Sequence, residues 1–597
     1  MSPTDTSMYY GKITALEFKA SLYKWIPSKW RERAIPRLEG NIARLKRDRV
    51  FSSLPEVTIS SDTEIGKPES SIKVPLQRVY TGSKPVISSS LANTPCTTLG
   101  IQCLLDLLNT ILGTSYTLRI LSLYRLLEEC IRMNYDFGAT YARLRPIWFE
   151  NWRAVEEKLR TREAEDLQER QEAIVNDRIV GLYIMPRRVW DLYSNRVVPW
   201  WVTHEWPRPI SHAWVAERDR IDVWTPINGY QWPIPIPRDA NLDLIRIEML
   251  NLGAEYVWLD VLCLRQKGGR RDDLRAEEWR LDVPTIGAVY RFSGAVVWYL
   301  SGLGRPLSVK VGDLDSDQCW FRRAWTLQEI GRNPIVAGDI PDGPLHTERI
   351  NEDENGILTR FHKQLMSVSR HRLGMFDVLS QMQKRVSTNA VDKVAGLAFS
   401  LGSQMIPAYY ESQSLEDAWI ALVNAMGAWY RAQLFFLYPK PGNSGKKWRP
   451  SWKQVMTEPM PRDYYCSAML YWDEEADEDW CDGCCIEKGI VHGLDVGGVE
   501  GVDRSGQLIV ENDDGTANTF TIIAPHQQPI PEDTYTLLGN NPPAYLHGTR
   551  GRFWVVGRRP FAGQMFQKVS VFVLASSGEV QRLKDLGVAT RSRNMPI

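Results

Sequence analysis

Between residues 209 and 338, short β-rich runs alternate with stretches whose apolar residues recur at helical spacing, and this alternation leaves few folds open. A strand, helix, strand succession calls for parallel strands joined by crossovers, so the expected architecture is α/β, a mostly parallel sheet flanked by helices. Ile210, Ser211, His212, Ala213 and Trp214 form the first strand expectation. Residues 239–252 follow as a helix with Leu242, Ile245, Met249 and Leu252 on one face and Gly253 at its end. Tyr256, Val257, Trp258, Leu259 and Asp260 form the second strand, a helix spans 276–291, and residues 295–300 carry the strongest strand signal in the chain. A third helix is expected over 318–330 and a short fourth strand at 335–337. Right-handed crossovers bring the C-terminal strand ends to one edge, where open α/β sheets hold their ligand crevice, and make His212, Asp260 and Cys263 neighbours there.

The chain has 597 residues, too many for one core, and its 72 basic and 72 acidic side chains cancel to a formal net charge of +0. No overall positive field attracts nucleic acid or an anionic membrane, so neither is expected as a partner. The apolar stretch at 104–127 is broken by Asp106, Asn109, Arg119 and Arg125, which argues against a membrane span. Nine cysteines, an odd number, and the lack of an apolar leader in the first twenty residues point to a reducing, cytoplasmic setting. Residues 1–95, rich in Ser, Pro and Thr beyond residue 50, read as a flexible N-terminal arm and linker, and residues 96–180 as a helical module. The α/β region takes 181–403, a helical connector 404–485, and a C-terminal β-rich domain 486–597, with hairpin signals at 504–506 and 513–515.

Four sequence blocks, in order, carry a family resemblance. Tyr256, Trp258, Leu259, Asp260, Cys263 and Gln266 fit the pattern Y-x-W-[IL]-D-x-x-C-I-x-Q. Residues 210–214 fit I-S-H-x-W, residues 323–329 fit R-x-W-T-x-Q-E, and Asp392, Lys393 and Val394 fit D-K-V, with Arg385 upstream. The region 185–402 therefore resembles the fungal heterokaryon incompatibility domain. That resemblance implies a cytoplasmic effector of programmed cell death in non-self recognition. Its domain is in turn distantly similar to the Toll/interleukin-1 receptor domain, a flavodoxin-like fold of which some members cleave NAD. It further implies protein partners or self-association, no resident cofactor, and NAD as a substrate of the enzymatic version. In the NAD-cleaving members a glutamate follows a tryptophan by four positions on a helix, the spacing of Trp325 and Glu329.

The expected catalytic group is Glu329, Asp260 and His212, with Trp325, Trp214, Arg323, Cys263 and Gln266 as ligand-binding positions. On a helix Trp325 and Glu329 share a face, so the indole walls a pocket into which the carboxylate points. Cleavage of a nicotinamide glycosidic bond develops oxocarbenium character, which a fixed carboxylate stabilises. Structural alternatives stand beside these roles: Glu329 pairing with Arg322 or Arg323, Asp260 capping a turn, and Cys263 as a small apolar filler rather than a thiolate paired with His212. Arg265, Lys267, Arg270 and Arg271 offer either a phosphate-binding loop or a solvated one. Cys466, Cys481, Cys484, Cys485 and His492 offer soft ligands, but the second C-x-x-C pair of a zinc ribbon is missing and no metal site is assigned.

Overall fold

Val296–Tyr299, two valines followed by two aromatics, is buried at all four positions, as a strand covered on both faces must be. It belongs to a six-stranded sheet in the computed structural model, which describes residues 50–51, 54–60, 64, 79–203, 205–307, 312–331, 333–338, 356–368, 374–401, 403, 405–464, 466, 468–512, 514–540, 552–559 and 565–597. The strands are β1 (Arg188–Asp191), β2 (Arg196–Pro199), β3 (Arg208–His212), β4 (Tyr256–Trp258), β5 (Val296–Tyr299) and β6 (Pro334–Val336). Their spatial order is β6-β5-β3-β4-β1-β2. The four strands from β3 to β6 run parallel, with Val257 opposite Arg208, Val297 opposite Ile210 and Trp298 opposite Val336. The hairpin β1–β2 adds an antiparallel edge through Trp190 opposite Val257, its turn closed by Asn195 at φ 54°.

The connections between these strands depart from the expected helices. The stretch expected as one helix over 276–291 is two, Asp273–Asp282 and Ile286–Phe292, because Pro284 cannot donate to the ladder at the junction. The helix expected over 318–330 does not form. Two single 3₁₀ turns, Trp320–Arg322 and Trp325–Leu327, replace it. Between them Arg323 is extended and bridges Val386 in parallel, with Ala324 N–H donating to Val386 and Val386 N–H to Arg322. A tertiary strand-like pairing has displaced the local helix, and Trp325 and Glu329 do not share a helix face.

Part of the stretch expected as a flexible arm is folded: Val57–Ser60 pairs antiparallel with Val79–Gly82. Residues 1–49 lie outside the described residues. Helices Cys96–Leu112, Leu121–Arg132 and Phe137–Leu144 build the helical module and share one continuous buried cluster with the sheet and the helices Leu415–Ala425 and Ala428–Leu437. Arg145, fully buried at the C-terminal end of the third of these helices, bonds Asp191 of β1 at 2.9 Å, the Tyr256 hydroxyl of β4 at 2.7 Å, and Glu255.

The C-terminal β unit starts earlier than residue 486, because Tyr471–Asp473 and Glu478–His492 are already strands. The eight-stranded sheet is antiparallel except where Met565–Leu574 meets Thr590–Pro596 after the helix Ser577–Leu586. Gly515 at φ 83° sits in the hairpin between Arg504–Glu511 and Ala517–Ala524, whereas the turn signal at 504–506 falls inside a strand.

Candidate functional site

β3 ends on His212, and the residue two beyond the end of β4 is Asp260, so the two parallel neighbours deliver an imidazole and a carboxylate to one edge. His212 Nε2 lies 2.8 Å from Asp260 Oδ1. The same carboxylate accepts from the Val261 amide at 2.7 Å and from the Trp214 indole at 3.1 Å. The Trp214 ring stacks on His212 with centroids 5.7 Å apart. Burial raises the Asp260 pKa, but His212 and the amide and indole donors outweigh it and hold the group below the usual carboxylate range. Asp260 is therefore the acceptor, and His212 Nε2–H donates. Burial in turn works against charge on His212, and Asp260, aided by Glu329, reverses this to leave the imidazole pKa above its ordinary value.

Glu329 reaches the same edge from the loop after the second 3₁₀ turn. Its carboxylate accepts from the Ser211 hydroxyl, which itself accepts from the Trp320 indole at 2.7 Å. Burial pushes the Glu329 carboxyl up to about 7; the Ser211 bond opposes the rise and the Asp260 charge adds to it. Neither Arg322 nor Arg323 pairs with it among the described residues: Arg322 meets Asp317 at 3.1 Å and Arg323 donates to Thr388. Arg385, pulled down to about 10 by burial, donates to the Arg323 carbonyl and the Thr326 hydroxyl and so fixes the loop that carries Glu329.

The remaining expected positions are distributed differently. Gln266 donates to the carbonyls of Leu264 at 2.9 Å and Asp260 at 3.4 Å, closing the turn after β4. Cys263 is 1% exposed and burial pushes its thiol up to about 12, so it packs as an apolar residue and supplies no thiolate. Trp325 leans on Tyr409, with ring centroids 6.3 Å apart, and Tyr409 donates to Asp392 at 2.7 Å. One cavity lies beside Pro284, Tyr409 and Leu422, and another, about 470 Å³, lies at the opposite, N-terminal edge of the sheet beside Arg208, Glu205 and Ser293. Among the described residues no group of three or more His, Cys, Asp or Glu is placed to hold a metal, and no helix is long and apolar enough to cross a membrane.

No family model, curated protein or solved structure matches this chain. The site therefore rests on its own residues. Sequence reasoning missed two of them, Ser211 and Trp320; Ser211 lay inside the I-S-H block, but only the folded chain shows its hydroxyl joining Glu329 to the β3 end.

Proposed function

We propose that this chain is a cytoplasmic cell-death effector of the heterokaryon incompatibility type, and that the cluster at the C-terminal strand ends hydrolyses the glycosidic bond of NAD. The observation that carries the reading is Glu329: a half-buried carboxyl, titrating at about 7, bonded to Ser211 beside the His212–Asp260 pair. A group poised near the working pH suits general base catalysis. The order of the four parallel strands, numbered along the chain as 2-1-3-4, supports a flavodoxin-like domain.

In the proposed reaction the bond from ribose C1′ to the nicotinamide nitrogen breaks, and its electron pair neutralises the pyridinium ring. The ionised Glu329 stabilises the oxocarbenium ion that remains. Water then attacks C1′ and gives its proton to Glu329, which releases it to solvent. Asp260 acts as a positioning residue, because its oxygens are already committed to His212, Trp214 and the Val261 amide.

A second reading, a non-enzymatic module working by self-association, is favoured by Trp325, which is tied into the scaffold at Tyr409. Expression in fungal cells separates the two readings. Killing by the wild type, lost in Glu329→Gln at equal abundance, is the result expected of the enzyme; retained killing assigns the effect to assembly.

A further inference from the structure

Beside the acid–base cluster stand two cations that lack carboxylate partners among the described residues. Arg220 begins the strand Arg220–Val223 and lays its guanidinium over the Trp214 ring, 5.2 Å from the centroid. Trp214 is the residue whose indole holds Asp260. The Arg220 Nε is buried and meets no acceptor among the described residues. Arg323 comes from the segment that carries Glu329, and its one described side-chain hydrogen bond is to the neutral hydroxyl of Thr388 at 3.2 Å. Burial is the main cause that lowers the Arg323 pKa; Arg220 lowers it further, while Asp392, Asp317 and Glu329 act in the opposite sense. No carboxylate lies within ion-pair distance of either guanidinium among the described residues.

The loop 265–271 is the contrast. Arg265 meets Glu278 at 3.3 Å, Lys267 meets Glu411 at 3.8 Å and Arg271 meets Asp273 at 2.9 Å, so most of the loop's cations are already neutralised. Desolvating like charges without counter-ions is costly unless a ligand supplies the missing charge. A guanidinium fork matches a phosphate bidentately, and a second guanidinium nearby matches a diphosphate.

We propose that Arg220 and Arg323 form an anion subsite that holds the diphosphate of a nucleotide substrate while its ribose faces Glu329. The assignment of the ligand as NAD rests on the preceding proposal; the subsite itself rests on the two unpaired arginines.

Calorimetric titration of the full chain with inorganic pyrophosphate and with ADP-ribose tests it. The wild type should bind both. Arg220→Gln and Arg323→Gln should each weaken binding about tenfold, the equivalent of about 1.4 kcal/mol. Arg220→Lys should recover part of the loss, and Arg271→Gln should bind as the wild type does. Thermal unfolding of each variant shows that it is folded, and Arg220→Lys keeps the test usable if the Gln variants are not. Pyrophosphate binding that depends on the arginines in a protein that releases no nicotinamide would uphold the subsite and remove the NAD reaction. Nicotinamide release with an unchanged KM in folded Arg220→Gln, or a wild type that binds neither probe, would overturn the subsite.

Discussion

Glu329 differs from an exposed glutamate in how tightly it keeps its proton. Its ordinary value is 4.5 and its folded value about 7, so the folded state binds a proton that the unfolded chain releases across that interval. The stability this contributes is complete below about pH 4.5 and is lost as pH rises through 7. Glu329→Gln cannot ionise, so its thermal midpoint should gain on that of the wild type between pH 5 and pH 8; a gap that narrows over this range would contradict the assigned environment. Cys263→Ala, by contrast, should cost on the order of 1 kcal/mol and leave killing intact, because the buried thiol is a packing group. Loss of killing in a stable Cys263→Ala protein would restore a chemical role. At this scale the sequence made His212 and Asp260 legible, since both follow from strand ends on one edge. Ser211 was not legible: a serine inside a strand carries no signal until residue 329 arrives beside it.

The strands were readable as elements because Val, Trp and Tyr in short runs have few alternatives to a buried sheet. The hairpin β1–β2 and the loss of the 318–330 helix were not, for one reason: both depend on partners distant in sequence, Tyr256 and Val257 in the first case and Val386 in the second. Local helical spacing around Trp320 and Trp325 was outweighed by an edge pairing that residues 318–330 do not encode. Arg145 ties the helical module to the sheet through Asp191 and Tyr256. Arg145→Met leaves Asp191 buried at 0% side-chain exposure without its cation, and should lower stability by about 3–5 kcal/mol in denaturant unfolding. A change under 1 kcal/mol would show that the contact does not fasten the two elements.

Among the described residues two large buried clusters carry most of the core, one running from the helical module through the sheet to the connector, the other inside the C-terminal β unit, and a small third one gathers Met185, Val189, Val198 and Tyr256. The two large ones are joined rather than merely adjacent. Cys481 and Cys485 of the strand Glu478–His492 belong to the first cluster, and the buried Lys568 donates to the carbonyls of Leu434 and Phe435 at 3.1 and 2.8 Å. The antiparallel character of the C-terminal unit was legible from the hairpin signal that ends at Gly515; its start was not, because residues 404–485 read as one helical connector. A chain ending at Cys485 would cut that strand and uncover part of the main cluster, so it should bind a hydrophobic dye and lose its sharp thermal transition; a full-length-like transition would mean that the units are independent. Nicotinamide release from NAD by the purified whole chain reports on the edge where β3, β4 and Glu329 meet. Release by the wild type, abolished in a folded Glu329→Gln, is the predicted result; no release by a folded wild type, or equal release by the variant, would contradict it.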